Sequence, residues 1–372
     1  MRWPPPRRRY EPPSLTTRSP IPLSFKENNI TIVVDAMGGD HAPGVVVQGA
    51  LDAIAESSGR ISVILVGREQ AIGAELQKHA AQSAEARIAG TLRVAHADEV
   101  IEMDDAPNAA LKTKKNSSIA VGLALHRDGK GNAFVSAGNT GAVLSASTLI
   151  LGRIRGIGRP TIGALFPTAK DRPCLLLDAG ANVDCRARHL YEFALMGSAY
   201  IAAMFGTRRP AVGLLSIGEE EVKGNEVTVE AFRLLKEGPL NFVGNVEGRD
   251  VLKGDVDVVV CDGFVGNIIL KFGESVPSFL RAKFLRYASR GPKEKLVALV
   301  ARGGLRSVMQ EMDYQEAGGV PLLGVKGVSI IGHGGSTARA IKNMIFLAEK
   351  TLVQDVNGKI QDSLHRSRNG EE

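Results

Sequence analysis

Aromatic residues make up only 5% of this 372-residue chain. That is too few for the stacking platforms on which single-stranded nucleic acids bind. Cysteine is equally scarce: Cys174, Cys185 and Cys261 are widely spaced and form no CxxC pair, which argues against a disulfide framework or a zinc site. No apolar run approaches the roughly 18 residues of a membrane span. These absences favour a protein of a reducing cytoplasm.

The common site fingerprints are missing as well. The chain has no GxxxxGK[ST] loop, no GxGxxG after its first apolar run and no GxSxG elbow. Its seven histidines show no metal-binding spacing. The sequence therefore predicts no nucleotide, no metal, no cofactor and no nucleic-acid partner.

Charge is unevenly distributed along the chain. The formal net charge is +6, but residues 281–306 alone hold eight basic residues and one acidic residue, Glu294. Residues 1–29 are also basic and contain seven of the 17 prolines, which predicts a disordered Pro/Arg-rich extension. A translation-start artefact, a tag-like remnant and a partner-binding arm all remain open for it. The remainder of the chain is mildly acidic.

From Ile30 onward, short apolar runs alternate with helical stretches. The predicted strands are Thr31–Asp35, Ile61–Val66, Ala133–Ser136, Cys174–Asp178, Val212–Ile217, Val256–Cys261 and Val328–Ile331. The predicted helices are Gly44–Glu56, Ser117–Arg127, Leu144–Gly152, His189–Phe205, Asn225–Lys236, Asn267–Phe284 (kinked or split by Pro277) and Ser336–Thr351. This alternation predicts an α/β domain over residues 30–356 with helices on both faces of a mostly parallel sheet, followed by a polar tail over 357–372.

Glycine stands beside Asp, Asn or Ser at almost every predicted strand end. A single motif of this kind is usually a capped turn. Seven of them in one parallel sheet would converge on one edge, where backbone N–H groups and helix N-termini bind anions. The pattern predicts a site for phosphate or another small oxyanion. Lys223 follows the fifth predicted strand and is either a solvated surface charge or a mobile ammonium group over that anion.

Nine motifs occur in an order that resembles one bacterial family. They are Asp35-Ala-Met-Gly-Gly-Asp-His-Ala-Pro43, His96-Ala-Asp-Glu-Val-Ile101, Lys115-Asn-Ser-Ser118, Ser136-Ala-Gly-Asn-Thr-Gly-Ala142, Gly152-Arg-Ile154, Leu177-Asp-Ala-Gly-Ala-Asn-Val-Asp184, Lys223-Gly-Asn-Glu226, Phe242-Val-Gly-Asn-Val-Glu247 and Asp262-Gly-Phe-Val-Gly-Asn267. Over residues 31–355 the chain resembles the acyl-carrier-protein:phosphate acyltransferases of phospholipid synthesis.

The resemblance implies a fold related to isocitrate/isopropylmalate dehydrogenases and phosphotransacetylases. It also implies a homodimer that reversibly transfers a fatty acyl group from acyl carrier protein to inorganic phosphate. The acyl phosphate would feed a membrane glycerol-3-phosphate acyltransferase. By similarity, Lys223 and Asn267 are the candidate catalytic residues. The candidate phosphate- and substrate-binding residues are Asp35, Gly38, Gly39, His41, Ser136, Gly138, Asn139, Thr140, Asp178, Asn182, Asn225, Asp262, Gly263 and His333.

Residues 274–313 form a separate feature, in which apolar residues alternate with cations and Arg290-Gly-Pro292 divides two helices. This pattern predicts a protruding basic helical hairpin. Either it packs in a dimer, or it docks the acidic carrier protein, anionic lipid, or both, which would give a peripheral membrane contact. The candidate docking residues are Arg281, Lys283, Arg286, Arg290, Lys293, Lys295, Arg302 and Arg306.

Three alternative functions stay open at this stage. The first is a phosphotransacetylase that uses acyl-CoA as its donor. The second is an NAD-dependent decarboxylating dehydrogenase of the related fold, whose metal would need clustered aspartates. The third is a non-catalytic membrane scaffold that acts through the basic hairpin.

Overall fold

The structure, a computed structural model, describes residues 30–170, 172–311 and 318–369. Its strands are β1 (Ile30–Asp35), β2 (Ile61–Gly67), β3 (Leu92–His96), β4 (Ala133–Ser136), β5 (Thr161–Phe166), β6 (Cys174–Leu177), β7 (Val212–Leu215), β8 (Phe242–Val246), β9 (Val258–Val260), β10 (Val320–Leu323) and β11 (Val328–Ile331). Its helices are α1 (Gly44–Ser57), α2 (Glu69–Lys78), α3 (Ala80–Ile88), α4 (Pro107–Thr113), α5 (Ser118–Arg127), α6 (Thr140–Ile150), α7 (Ala187–Phe205), α8 (Glu226–Glu237), α9 (Gly263–Ala288), α10 (Pro292–Glu311), α11 (Ala338–Val353) and α12 (Val356–Asn369).

All these strands belong to a single sheet, in the order β3-β2-β1-β4-β11-β10-β5-β6-β9-β7-β8. Seven of the ten strand pairs are parallel. The other three, which involve β10 and β5 in the middle of the sheet, are antiparallel. The prediction of a mostly parallel α/β sheet is confirmed.

The antiparallel pairs divide the sheet into two parallel halves that run in opposite directions. In one half β1, β2, β3, β4 and β11 point the same way, and in the other half β6, β7, β8 and β9 point the opposite way. The carboxyl ends of the strands therefore form two groups. The sequence analysis predicted that the carboxyl ends of all the strands would meet at one edge of the sheet. That prediction is wrong, because strand direction reverses between β11 and β6.

Helices cover both faces of the sheet because successive strand residues alternate between them. In β1, Val33 packs with Leu123 of α5 on one face, whereas Ile32 and Val34 belong to the cluster of α1 and α11 on the other. In the second half, β6 and β9 pack under α7. Continuous apolar strands result because neither face of most strands meets water.

Two predicted segments differ in detail from the structure. Pro277 lies inside the continuous helix α9, so the predicted helix is not split there. Residues 357–369, predicted as a polar tail, form most of α12, whose Val356, Ile360 and Leu364 are buried in the cluster around α7. An apolar residue every fourth position along α12 is enough to bury one face of an otherwise polar helix.

Some predictions fall outside the described residues. These are the N-terminal extension over 1–29, residues 312–313 of the predicted hairpin and residues 370–372 of the predicted tail. No helix in the described ranges is both long enough and apolar enough to cross a membrane.

Candidate active site

The buried carboxylate of Asp178 organises the turn after β6. It accepts hydrogen bonds from the backbone N–H groups of Gly180, Ala181 and Asn182, at 3.2, 3.0 and 2.7 Å, and from Ile162 N at 3.2 Å. Burial raises the pKa of Asp178, and the hydrogen bonds from Ala181 and Asn182 oppose that shift. The turn after β6 was predicted to offer its N–H groups to phosphate, but in the structure Asp178 itself accepts them.

Asn182 joins this turn to the start of α9. Its side-chain N–H₂ group donates to Asp178 and to Pro160 O, both at 2.8 Å, and its carbonyl accepts from Gly263 N at 2.8 Å. Asp262 caps α9 through a 2.9 Å bond from Val265 N. Asp178, Asn182 and Asp262 therefore hold the backbone in place around the first turn of α9.

Asn267 stands one turn into α9, with an exposed side chain. Its carboxamide lies against Gly180, where a β-carbon would come within 3.3 Å of Asn267 Oδ1. Gly266, its neighbour, packs so closely on the backbone of Asp178 that a β-carbon there would overlap the Asp178 carbonyl oxygen. The position of Asn267 is thus set by two glycines that permit close backbone approach.

Lys223 lies in an exposed loop between β7 and α8. Ser216 Oγ donates to the carbonyl of Lys223 at 3.0 Å, and Asn245 Nδ2 donates to the carbonyl of Glu220 at 2.8 Å. Asn225 caps α8 by accepting from Thr228 N at 2.9 Å. The loop backbone is therefore fixed from both sides, while the ammonium group of Lys223 stays on an exposed side chain.

Lys223 and Asn267 belong to the same group of strand ends. Lys223 follows β7 and Asn267 follows β9, and these two strands are parallel neighbours. Asp178, after β6, follows the next strand along. We call the carboxyl ends of β6, β9, β7 and β8 the Asp178 edge. It brings together both candidate catalytic residues with Asp178, Asn182, Asn225, Asp262 and Gly263.

The remaining predicted site residues lie at the carboxyl ends of β1, β4 and β11, which we call the Asp35 edge. Buried Asp35 accepts from Ser136 Oγ at 2.7 Å, which in turn accepts from Gly138 N at 3.0 Å. Gly38 packs on this pair, since a β-carbon there would come within 2.6 Å of Asp35 Oδ2. The first loop meets the β11 loop through a 2.8 Å bond from Asp40 N to Gly334 O. His41, Gly39 and His333 lie on the loops of this edge, and Thr140 is the first residue of α6.

The Asp35 edge is better suited to structural roles than to holding an anion. Asn139 caps α6 and donates to the carbonyls of Glu102, Met103 and Asp105 at 3.0 to 3.2 Å, so its amide is engaged within the protein. An open pocket of about 470 Å³ here includes the acidic side chains of Asp40, Glu102 and Asp104 and the cation Arg68. Three carboxylates against one guanidinium disfavour phosphate.

The thiols of Cys174, Cys185 and Cys261 are poor nucleophiles. Burial raises the pKa of Cys185 to about 12, with further contributions from Asp178 and Asp262, and it raises the pKa of Cys174 to about 12. Burial also raises the pKa of Cys261. Since the thiolate is the reactive form, these groups stay protonated near neutral pH.

We therefore expect Cys185→Ser to keep at least half of the wild-type turnover. Treatment of the wild-type enzyme with iodoacetamide at pH 7.5 should likewise leave the initial rate within about twofold. The measurement is the steady-state rate before and after treatment, with mass spectrometry to score alkylation. Loss of activity in step with alkylation of Cys185 would contradict this expectation and would place a thiol in the reaction.

The hairpin predicted at residues 274–313 is formed by the last part of α9 and by α10. All eight candidate docking cations on it are exposed. So are several large apolar side chains, including Phe279, Leu285, Leu296, Leu299 and Val300. An exposed surface that mixes apolar and cationic side chains is typical of an interaction face.

The chain was compared with known proteins. A family model described as "Fatty acid synthesis protein" matches residues 30–359. A phosphate acyltransferase of Pelotomaculum thermopropionicum is 48% identical over 334 residues, covering 89% of this chain and 95% of that protein. One from Heliobacterium modesticaldum is 48% identical over 333 residues, covering 90% and 97%. The chain belongs to the phosphate acyltransferase family. It is therefore an acyltransferase of fatty acid and lipid synthesis, which confirms the resemblance read from the motifs.

Solved structures support the same fold. A phosphotransacetylase from Streptococcus pyogenes has a TM-score of 0.56 at 17% identity, covering 87% of this chain and 94% of that chain. The EutD phosphotransacetylase from Staphylococcus aureus has a TM-score of 0.55 at 17% identity, with the same coverage. The phosphotransacetylase-like fold implied by the sequence motifs is confirmed.

Sequence reasoning missed the residues that fix the Lys223 loop. Asn245 is buried at the end of β8, and its Oδ1 has no hydrogen-bond partner among the described residues. Asn245 lies in the family motif Phe242-Val-Gly-Asn-Val-Glu247, but the motif alone predicted no role for its side chain. The carbonyl of Glu220, which Asn245 holds, carries no signal in the sequence, because any residue type can supply a backbone acceptor.

Proposed function

We propose that this acyltransferase moves a fatty acyl group from acyl carrier protein to inorganic phosphate. The product, an acyl phosphate, would serve the acylation of glycerol 3-phosphate in phosphatidic acid synthesis. The observation that carries the proposal is the placement of two exposed side chains, Lys223 and Asn267, at the carboxyl ends of neighbouring strands in a chain of the phosphate acyltransferase family.

The chemistry fits this pair because phosphate is already an anionic nucleophile. One phosphate oxygen attacks the thioester carbonyl, a C–O bond forms, and the tetrahedral intermediate carries a negative charge on the former carbonyl oxygen. The C–S bond then breaks and the carrier leaves as its thiol after protonation. No covalent enzyme intermediate is needed, which agrees with the raised pKa values of the three thiols.

The two side chains divide the work in this proposal. The ammonium group of Lys223 neutralises phosphate or the developing oxyanion, and the Asn267 carboxamide orients the phosphate. Asp178 and Asn182 act indirectly, by holding the turn on which Asn267 rests. Within the described residues, no cluster of His, Cys, Asp and Glu has an arrangement that could hold a metal ion.

The proposal also includes a homodimer, and it gives the basic hairpin the role of contacting the membrane surface. Exposed Phe279, Leu285 and Leu299 beside Lys283 and Arg286 suit an anionic membrane surface, where apolar groups insert and cations meet headgroups. Such a contact would bring the product close to a membrane glycerol-3-phosphate acyltransferase.

The deciding experiment is a turnover assay with two donors. Purified protein is mixed with phosphate and either decanoyl-acyl carrier protein or decanoyl-CoA, and acyl phosphate is trapped with hydroxylamine as the hydroxamate. We expect product from the carrier-protein donor at a kcat/KM at least about 10-fold above that of the CoA donor. Product mainly from decanoyl-CoA would instead favour a phosphotransacetylase. No product from either donor would overturn the proposed reaction.

A further inference from the structure

A second basic surface lies away from the hairpin, beside the Asp178 edge. We call it the arginine patch, and it consists of Arg153, Arg155, Arg159, Arg186, Arg188 and Arg368. They come from three parts of the chain: the loop before β5, the start of α7 and the end of α12. All six are exposed except Arg159, which is partly buried.

Contacts hold these three parts together. The Arg153 guanidinium donates to Gly158 O, and that of Arg159 donates to Asp184 O. The Arg368 guanidinium occupies the space that a β-carbon on Gly156 would fill. Tyr191 on α7 and Ser367 on α12 share a 2.7 Å hydrogen bond. The arginines therefore form a continuous surface whose backbone is fixed.

Few negative charges offset this surface. Glu192 is buried, pairs with Arg188 at 3.0 Å and also accepts from Gly158 N at 2.7 Å. Asp184 is exposed beside Arg159. Burial, followed by the charge of Arg159, lowers the pKa of His189 at the centre of the patch. The patch thus carries a net positive charge of about four near neutral pH, from six arginines and two acids.

The placement of Arg186 and Arg188 is unfavourable for the helix itself. They flank the N-terminus of α7, whose first turn contains no acidic residue. The helix dipole is positive at that end, so a cation there costs about 0.3–1 kcal/mol relative to a neutral residue. Arg188 offsets part of this cost through its ion pair with Glu192, whereas Arg186 forms no ion pair among the described residues. A residue that breaks a local rule without such a gain is expected where function requires it.

The patch and the hairpin differ in the kind of partner they suit. The two isoleucines of the patch loop, Ile154 and Ile157, are buried, so its surface is guanidinium-rich and polar. The hairpin exposes large apolar side chains between its cations. A soluble, acidic protein is better matched by the patch, because Arg pairs bidentately with carboxylates and needs no apolar insertion.

The patch also touches the Asp178 edge. Asn182 Nδ2 donates to Pro160 O in the patch loop at 2.8 Å, and Asn182 O accepts from Gly263 N at the start of α9. A partner seated on the arginines therefore lies next to the turn that supports Asn267.

We propose that the arginine patch, and not the basic hairpin, is the docking surface for the acidic carrier protein that delivers the acyl group. This inference rests on the proposed function, because it assigns the donor of that reaction to a surface. Charge complementarity would steer the carrier and orient its prosthetic arm toward Lys223 and Asn267.

The test compares two double charge reversals of equal size. Arg155→Glu with Arg186→Glu alters the patch, and Lys283→Glu with Arg286→Glu alters the hairpin by the same net charge. Each variant is assayed for kcat and KM with decanoyl-acyl carrier protein, and with decanoyl-pantetheine, which carries the same thioester without a protein. Circular dichroism and a thermal melt check the fold. Arg155→Gln with Arg186→Gln replaces the patch variant if the reversed pair does not fold.

We expect the patch variant to raise the KM for the carrier-protein donor by at least about 10-fold, while kcat and the rate with decanoyl-pantetheine stay within about twofold. In the hairpin variant, the KM for the carrier-protein donor and the rate with decanoyl-pantetheine should each stay within about threefold of the wild type. An unchanged KM in the patch variant would overturn the assignment, and so would an equal rise in both variants, which would indicate a net-charge effect. Absence of product from the wild type with both donors would overturn the proposed function itself, a result distinct from either of these.

Discussion

Lys223→Ala is expected to lower the kcat for acyl phosphate formation by about 100- to 1000-fold, the usual cost of removing one donor to a developing oxyanion. The side chain is exposed and its loop is held by backbone acceptors, so the melting temperature should stay within about 1 °C of the wild type. Loss of rate without loss of stability would separate a catalytic role from a structural one. The measurement is steady-state turnover at saturating phosphate and donor, beside a thermal melt.

Lys253→Ala provides the matched control for that experiment. Lys253 is also an exposed lysine, and it pairs with Asp250. Its neighbour Leu252 accepts a backbone hydrogen bond from Ala169, which follows β5 at the end of the sheet opposite to the Asp178 edge. Its replacement should leave turnover within about twofold, as for most surface substitutions. Near-normal turnover in Lys223→Ala would remove this lysine from the mechanism.

Gly266→Ala is expected to damage both stability and activity through a single methyl group. A β-carbon at this position overlaps the carbonyl oxygen of Asp178, which belongs to the backbone and cannot rotate away. Helix α9 must shift, at a cost of about 1–3 kcal/mol in the free energy of unfolding. The shift displaces Asn267, the next residue, and misplacement by about 1 Å can cost up to 100-fold in rate. Chemical denaturation and steady-state kinetics measure the two effects.

Gly303→Ala is the control, because it makes the same substitution inside another helix. Gly303 lies in α10 with open space where its β-carbon would be. Alanine there should stabilise the helix by about 0.5–1 kcal/mol and leave turnover unchanged. If Gly266→Ala proved as stable and as active as Gly303→Ala, the close packing of α9 on Asp178 would have no bearing on the site.

The sequence pattern predicted seven strands that the structure contains, but it missed β3, β5, β8 and β10. Each of the four departs from a continuous apolar run. Pro321 interrupts β10, Gly163 lies in β5, Gly244 lies in β8, and β3 is a partly exposed edge strand. In β10, Val320 and Pro321 pair with β11, whereas Leu322 and Leu323 pair with β5.

The sequence could not predict the direction of each strand or the hydrogen-bond partners of the backbone N–H groups in the loops. Local patterning is the same whether a strand points up or down, so the reversal at β10 and β5 could not be predicted. The Asp178 motif correctly indicated a turn rich in N–H donors. Whether those donors face a ligand or the protein's own carboxylate depends on a side-chain rotamer, and here Asp178 takes them. The pairing of Lys223 with Asn267 came from family motifs rather than from spacing.

The strands at the centre of the sheet are among the last parts of the chain to leave the ribosome. β4 and β5 follow each other along the chain, yet β10 and β11, from residues 320–331, lie between them. Until that segment is synthesised, the nascent protein has two half-sheets, each with an unpaired strand where the other half should join. Unpaired strand edges template aggregation. Premature termination between the end of β9 and residue 320 therefore leaves most of both half-sheets synthesised but not joined, a product that the cell's chaperones and proteases must handle.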